Sequence, residues 1–232
     1  MLEDHHATPI FVVMSCYFPD RIRADMAIRV RRSLRAFLHC PVEYELHYII
    51  ADDGSPYRVG IENLVAGDTT IISGSNKGIG ASLNRAIGAL PVDALWMYIT
   101  DDWLLTEEAY LDHGVELLRN RDYDYLRLGP LHPNLVCTTR HHNGMWWLQF
   151  DHLNFRGGFY FATRPFLTTK KFWQRVGPFK ELVDAYEMER DYSDRVNRLD
   201  DIRLGAPANL HGSWEHIGEF NPVGRLTGWE NE

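Results

Sequence analysis

The first half of the chain alternates short apolar runs with segments of helical periodicity, and that alternation leaves few folds open. The runs are "IFVVMS" (Ile10 to Ser15), "YELHYIIADDGS" (Tyr44 to Ser55), "TTIISGS" (Thr69 to Ser75), "ALWMYIT" (Ala94 to Thr100) and "YDYLRLG" (Tyr123 to Gly129). Each is short and rich in β-branched or aromatic residues, as buried strands are. Between them, Met26, Val30, Leu34, Phe37 and Leu38 form one stripe of a helix over about Asp20 to Leu38. "NKGIGASLNRAIGAL" (Asn76 to Leu90) opens on a glycine turn and continues as a helix. A third helix is expected from Thr106, as N-cap, to Asn120. Strands that alternate with helices need crossover connections. The expected architecture is therefore α/β: a mostly parallel sheet flanked by helices.

The alternation fades after Gly129. Pro130 to Phe161 is rich in His, Asn, Trp and Gly and is expected to form a hairpin or an irregular insertion. "TTKKFWQRVG" and "AYEMERDYSDRVNRL" read as helices, and the tail from Ala206 shows little regular pattern. No repeat or linker interrupts the 232 residues. One domain with two lobes follows, about residues 9–128 and about residues 129–232.

A formal net charge of -8 argues against broad, nonspecific nucleic-acid binding. It leaves only a local patch, Arg21, Arg23, Arg29, Arg31, Arg32 and Arg35, which reads first as a solvated helix face. Three cysteines without zinc-ligand spacing point to a reduced, cytoplasmic setting. "MLEDHHATPI" lacks the pattern of a signal peptide, and no run approaches the roughly 20 apolar residues of a membrane helix. Of the seven Trp, most are expected in the core; a flat ring for stacking on a sugar is the second reading.

Two of the strands end in adjacent acids, Asp52 with Asp53 and Asp101 with Asp102. In an open parallel sheet, ligands bind in the crevice at the carboxyl ends of strands. Turn and cap chemistry explains one such pair alone. Two pairs at equivalent ends, with the glycine turn between them in sequence, point instead to a divalent cation. Mg²⁺ or Mn²⁺ takes carboxylate oxygens and brings diphosphate oxygens as further ligands. "NKGIG" is no P-loop, because it lacks the Gly-Lys-Ser/Thr ending.

In their order, "DDGS", "NKGIGASLNRAI" and "TDD" resemble the motifs of family 2 glycosyltransferases of the GT-A fold. The resemblance runs from about Pro9 to Leu105, with weaker echoes to Arg198. It implies a GT-A, Rossmann-like sheet with a smaller acceptor-side lobe. It implies a nucleotide-sugar donor as co-substrate, UDP favoured, and Mn²⁺ or Mg²⁺ as cofactor. Asp52 or Asp53 would bind the base, with Asn76, Gly78 and Asn84 in the matching glycine segment. Asp102 would ligate the metal, and Asp101 would lie near sugar or ribose. Gly157 and Gly158 would approach a ligand on the acceptor side. Counting back from Arg195 puts Glu189 at the position of the family's general base, with Asp191 second; the plain alternative is a charged helix face. A late His would reach the metal, His211 before His216. The implied reaction is inverting transfer to a glycan hydroxyl, or less readily to a modified base in DNA. A nucleotidyltransferase is disfavoured by "SCYFPDR" after the first strand. A nucleotide- or sugar-binding module without turnover stays as the alternative.

Overall fold

The computed structural model describes residues 7–64, 69–131, 137–142, 144–150, 161–208 and 213–218. In chain order the first half runs β1 (Thr8–Cys16), α1 (Arg21–Phe37), β2 (Leu38–His39), β3 (Tyr44–Asp52), α2 (Arg58–Leu64), β4 (Thr69–Ser73), α3 (Ile79–Ala89) and β5 (Leu95–Thr100). It continues with β6 (Trp103–Leu105), β7 (Ala109–Tyr110), α4 (Asp112–Arg119), β8 (Tyr125–Arg127), β9 (Cys137–His142), β10 (Met145–Phe150) and β11 (Phe166–Thr169). It closes with α5 (Lys170–Val176), α6 (Ala185–Val196), β12 (Leu204–Pro207) and β13 (Trp214–His216).

Nine strands form the main sheet, in the order β4-β3-β1-β5-β11-β8-β12-β10-β9. The first four are parallel, as the alternation of runs and helices requires. Successive residues of β1 point to opposite faces. Ile10, Val12 and Met14 pack on the side of α1, while Val13 joins Ile49, Ala51 and the α3 residues Leu83 and Ala86 on the other. The Asp20 side chain caps α1 by accepting from the Arg23 N–H at 3.0 Å. Its inner stripe, Ala24, Ala27, Val30 and Leu34, is buried. Each buried Val or Leu there contributes about 1.5–3 kcal/mol. β1 lies between β3 and β5 with Cys16 opposite Asp52 and Ser15 opposite Thr100. Both acid pairs therefore leave the sheet at the same end, one on either side of β1.

Beyond the parallel half the sheet becomes mixed: β11 runs antiparallel to both β5 and β8, and β10 runs antiparallel to β9 and β12. Two expectations are corrected. The helix expected over Thr106 to Asn120 is only α4. Ala109 and Tyr110 pair instead with β2, and the Leu111 N–H donates to the His39 carbonyl at 2.9 Å. The N-cap position of α4 is Leu111 and not Thr106, whose N–H donates to the Ser213 carbonyl at 2.9 Å. The tail beyond Ala206 is also more regular than its sequence shows. β12 is an interior strand between β8 and β10, and β13 pairs with β6. Gly205 in β12 is obligatory, since a Cβ would stand 2.5 Å from the Tyr123 ring and 2.8 Å from the Leu148 carbonyl.

The hairpin expected between Pro130 and Phe161 is β9–β10. Among the tryptophans, Trp96 and Trp147 are buried in the core and Trp146 is exposed on the hairpin. Among the described residues no helix is long and apolar enough to cross a membrane.

Candidate active site

At the end of β3 the two acids hold loops in place. Asp52 is fully buried; its Oδ1 accepts from the Ser55 N–H at 2.9 Å and its Oδ2 from Arg58 at 3.2 Å. Asp53 accepts the N–H groups of Lys77 at 3.1 Å and Gly78 at 2.7 Å, with Arg85 at 3.6 Å. Burial pushes the Asp53 carboxyl up, and those two N–H groups and Arg85 pull it back. Gly78 has φ +89°, a left-handed conformation that turns its N–H toward Asp53 at the start of α3. The glycine turn and the Asp52–Asp53 pair are thus one unit, and Asn76 lies exposed within it.

Asn84 is placed differently from the expectation of a donor contact. Its amide group donates to the Phe179 carbonyl at 2.9 Å and to Glu181 at 3.0 Å, and its oxygen accepts from the Phe179 N–H at 2.8 Å. It braces α3 against the segment after α5. Asn84→Ala should therefore lower stability by about 2 kcal/mol in denaturant unfolding, since it strands both backbone groups of Phe179. A change below about 0.5 kcal/mol would contradict this role.

The second pair occupies the turn between β5 and β6. β6 folds back to pair with β13, which sets His216 opposite Trp103, with their rings 4.9 Å apart. The Ile217 N–H donates to the Asp102 carbonyl at 2.8 Å. These contacts bring His216 Nε2 to 3.4 Å from Asp102 Oδ2. Asp102 Oδ1 accepts from the Thr100 hydroxyl at 2.5 Å. Arg23, in the first turn of α1, grips Asp101 with Nε at 2.9 Å and with Nη2; the same Nη2 reaches Asp102 Oδ2 at 2.8 Å. Burial pushes the Asp101 carboxyl up to about 7 against the pull of Arg23. Burial acts on Asp102 in the same sense, but His216, Arg23 and Thr100 outweigh it and hold it down to about 2.

His211, the first choice for a late metal ligand, lies outside the described residues, as do Gly157 and Gly158; His216, the second choice, stands beside Asp102. Among the described residues no three His, Cys, Asp or Glu side chains gather around one point. The described residues that could hold an ion here are Asp102 and His216, one carboxylate and one imidazole. That donor set fits Mn²⁺ or Mg²⁺ that completes its shell with phosphate oxygens. The crowding of Arg23 and His216 on a single Asp102 oxygen marks the point as one that draws positive charge.

Glu189 faces inward from α6. Its Oε1 accepts from both the N–H and the hydroxyl of Thr163. Burial raises its pKa, while Thr163 and the charges of Arg127 and Arg164 oppose the rise. Asp191, the second candidate base, is instead held by Arg195 in an i, i+4 pair at 2.7 and 3.0 Å. Arg164 connects the two halves: it follows Thr163, donates to the Pro130 carbonyl at 2.8 Å and stands 6.0 Å over the Trp103 ring. A continuous line therefore runs from Asp102 through His216, Trp103 and Arg164 to Thr163 and Glu189.

Arg23, Arg164 and Trp103 were not singled out for roles at this site. Arg23 lies in the first turn of α1, the helix that follows β1 after a short loop, and that position was the available signal. Arg31 is likewise no surface charge; it is buried, donates to the Leu64 carbonyl at 3.1 Å and covers the Tyr48 ring at 4.3 Å. With both turned inward, the arginine patch of α1 is smaller than its sequence implies, and nothing favours a DNA acceptor.

No protein-family model matches the chain. No curated protein matches it either. Solved structures do. The structure of GalNAc-T7 with UDP, GalNAc and Mn²⁺ aligns with 88% of this chain at a TM-score of 0.56 and 10% identity. S. aureus TarS 1-349 in complex with UDP-GlcNAc aligns with 90% at a TM-score of 0.59 and 14% identity. The chain has the GT-A glycosyltransferase fold. This GT-A chain spans 43% of the GalNAc-T7 chain and 61% of the TarS 1-349 chain, less than two thirds of each.

Proposed function

We propose that this GT-A chain is a nucleotide-sugar glycosyltransferase of family 2 type, metal-dependent and inverting, with a UDP-sugar as the favoured donor. The observation that carries the proposal is the meeting of Asp102 Oδ2 and His216 Nε2, 3.4 Å apart, at the end of the sheet where Asp52 and Asp53 also emerge. The shared fold of structures that contain UDP, UDP-GlcNAc and Mn²⁺ supports it. Family, inversion and the choice of UDP rest on the ordered sequence motifs.

Asp102 and His216 would hold Mn²⁺ or Mg²⁺, which when bound neutralises charge on the departing diphosphate. The Asp52–Asp53 loop and the turn at Asn76 to Gly78 form the wall that meets the base. Glu189 is the proton acceptor. It takes the proton from an acceptor hydroxyl as that oxygen bonds to the anomeric carbon, and the bond from that carbon to the diphosphate oxygen breaks. A single displacement inverts the centre. Arg164 and Trp103 lie between the two halves and connect them. The direct test is incubation with UDP-sugars and glycan acceptors, following UDP release and glycosylated product. Nucleotide binding with no release under any pairing would favour the binding-module reading.

The reading carries a pH dependence. Glu189 faces Thr163, Arg164, Arg127 and Tyr125 of β8, and Tyr98 of β5. Its pKa is raised by burial, so the basic form is lost at a higher pH than for an exposed glutamate. The acid limb of kcat/KM should lie above the ordinary glutamate value of about 4.3. Activity is then full above the raised pKa and falls as pH drops through it. A limb at or below the ordinary value would remove Glu189 from this role.

A further inference from the structure

Two adjacent carboxylates in a nearly closed site repel each other unless a cation lies between them. The side chains of Asp101 and Asp102 are 4% and 14% exposed, and that of Arg23 is 15% exposed. The guanidinium of Arg23 supplies the cation from α1, unevenly. Asp101 receives two bonds, a fork on both of its oxygens, while Asp102 receives one, on Oδ2. Oδ2 is also the oxygen that His216 approaches. A divalent ion held by Asp102 and His216 would draw on the same lone pairs as Arg23.

We propose that Arg23 is a resident counter-cation of the donor site, which a divalent ion displaces from Asp102 while the fork on Asp101 stays in place. This rests on the reading of the crevice as a metal-dependent donor site. The asymmetry of the bonding is what makes the exchange workable, because Asp102 can be released without uncovering Asp101. In the metal-free protein Arg23 partly compensates the charge of the pair and holds it in position. The ion then binds a site whose charge is already partly compensated, so its apparent affinity is lower than the two acids alone would give.

The test is Mn²⁺ binding to the wild type, Arg23→Gln and Arg23→Lys, read from the spin-resonance signal of free Mn²⁺ with UDP present, together with thermal unfolding. Arg23→Gln should bind Mn²⁺ roughly tenfold more tightly than wild type. Its metal-free form should melt lower, and Mn²⁺ should raise its Tm by more than it raises that of the wild type. Arg23→Lys keeps the charge but has no fork. It should fold even if Arg23→Gln does not, and should also bind Mn²⁺ more tightly than wild type, by a smaller factor. Equal or weaker Mn²⁺ binding by the variants would overturn the inference alone, since it would make Arg23 a fixed support for the acids. No Mn²⁺ binding by any of the three proteins would overturn the functional reading along with it.

Discussion

Asp102→Asn should reduce glycosyl transfer by about a thousandfold, a size set by the several kcal/mol that a bound cation contributes to a charged transition state. The substitution keeps the size of the side chain and the acceptor oxygen that meets the Thr100 hydroxyl. It removes the charge that draws Arg23 and His216 to one oxygen. Nucleotide affinity should lose its dependence on Mn²⁺, and circular dichroism should stay unchanged, because Asp101 still satisfies Arg23 through its own two bonds. Transfer within tenfold of wild type would mean that the Asp102–His216 pair is not where the cation acts.

Glu189→Gln should separate chemistry from binding. The amide keeps an oxygen for Thr163 but has no basic lone pair to receive a proton at neutral pH. Turnover should fall between about 10² and 10⁴ fold, the range for loss of a positioned base. Affinity for UDP with Mn²⁺ should not change, since the Glu189 carboxylate bonds to Thr163 while Asp102 is held by Thr100, Arg23 and His216. Asp191→Asn should leave turnover near wild type, because Asp191 pairs with Arg195 along its own helix. If Asp191→Asn lost activity and Glu189→Gln did not, the roles of the two acids would be reversed.

What the sequence showed and what it hid divide along physical lines. β1, β3 and β5 are interior parallel strands, and burial along β5 and at the carboxyl-terminal halves of β1 and β3 makes those stretches apolar runs, legible without any partner. β4 lies at the sheet edge and is legible from its β-branched run alone. The acids at the ends of β3 and β5 were legible for the complementary reason, as charges where apolar runs stop. β12 and β13 were not, because they have four and three residues and owe their pairing to β8, β10 and β6. Periodicity cannot report such tertiary pairing. The same limit left His216 ranked behind His211, since His216 reaches Asp102 only because β13 docks on β6. Arg23 was hidden by its company. Among six arginines on one helix, sequence spacing does not say which turns inward, and that depends on how α1 crosses over β1.

The account's central claim is that the carboxyl ends of β1, β3 and β5 form a donor site completed by a divalent ion. The most direct measurement is calorimetric titration of the wild-type protein with UDP, with and without Mn²⁺. The account predicts saturable binding with one UDP per chain, tightened at least about tenfold by Mn²⁺ as metal and diphosphate complete each other's ligand shells. A folded protein that binds UDP equally with and without Mn²⁺, or does not bind it at all, would contradict the claim.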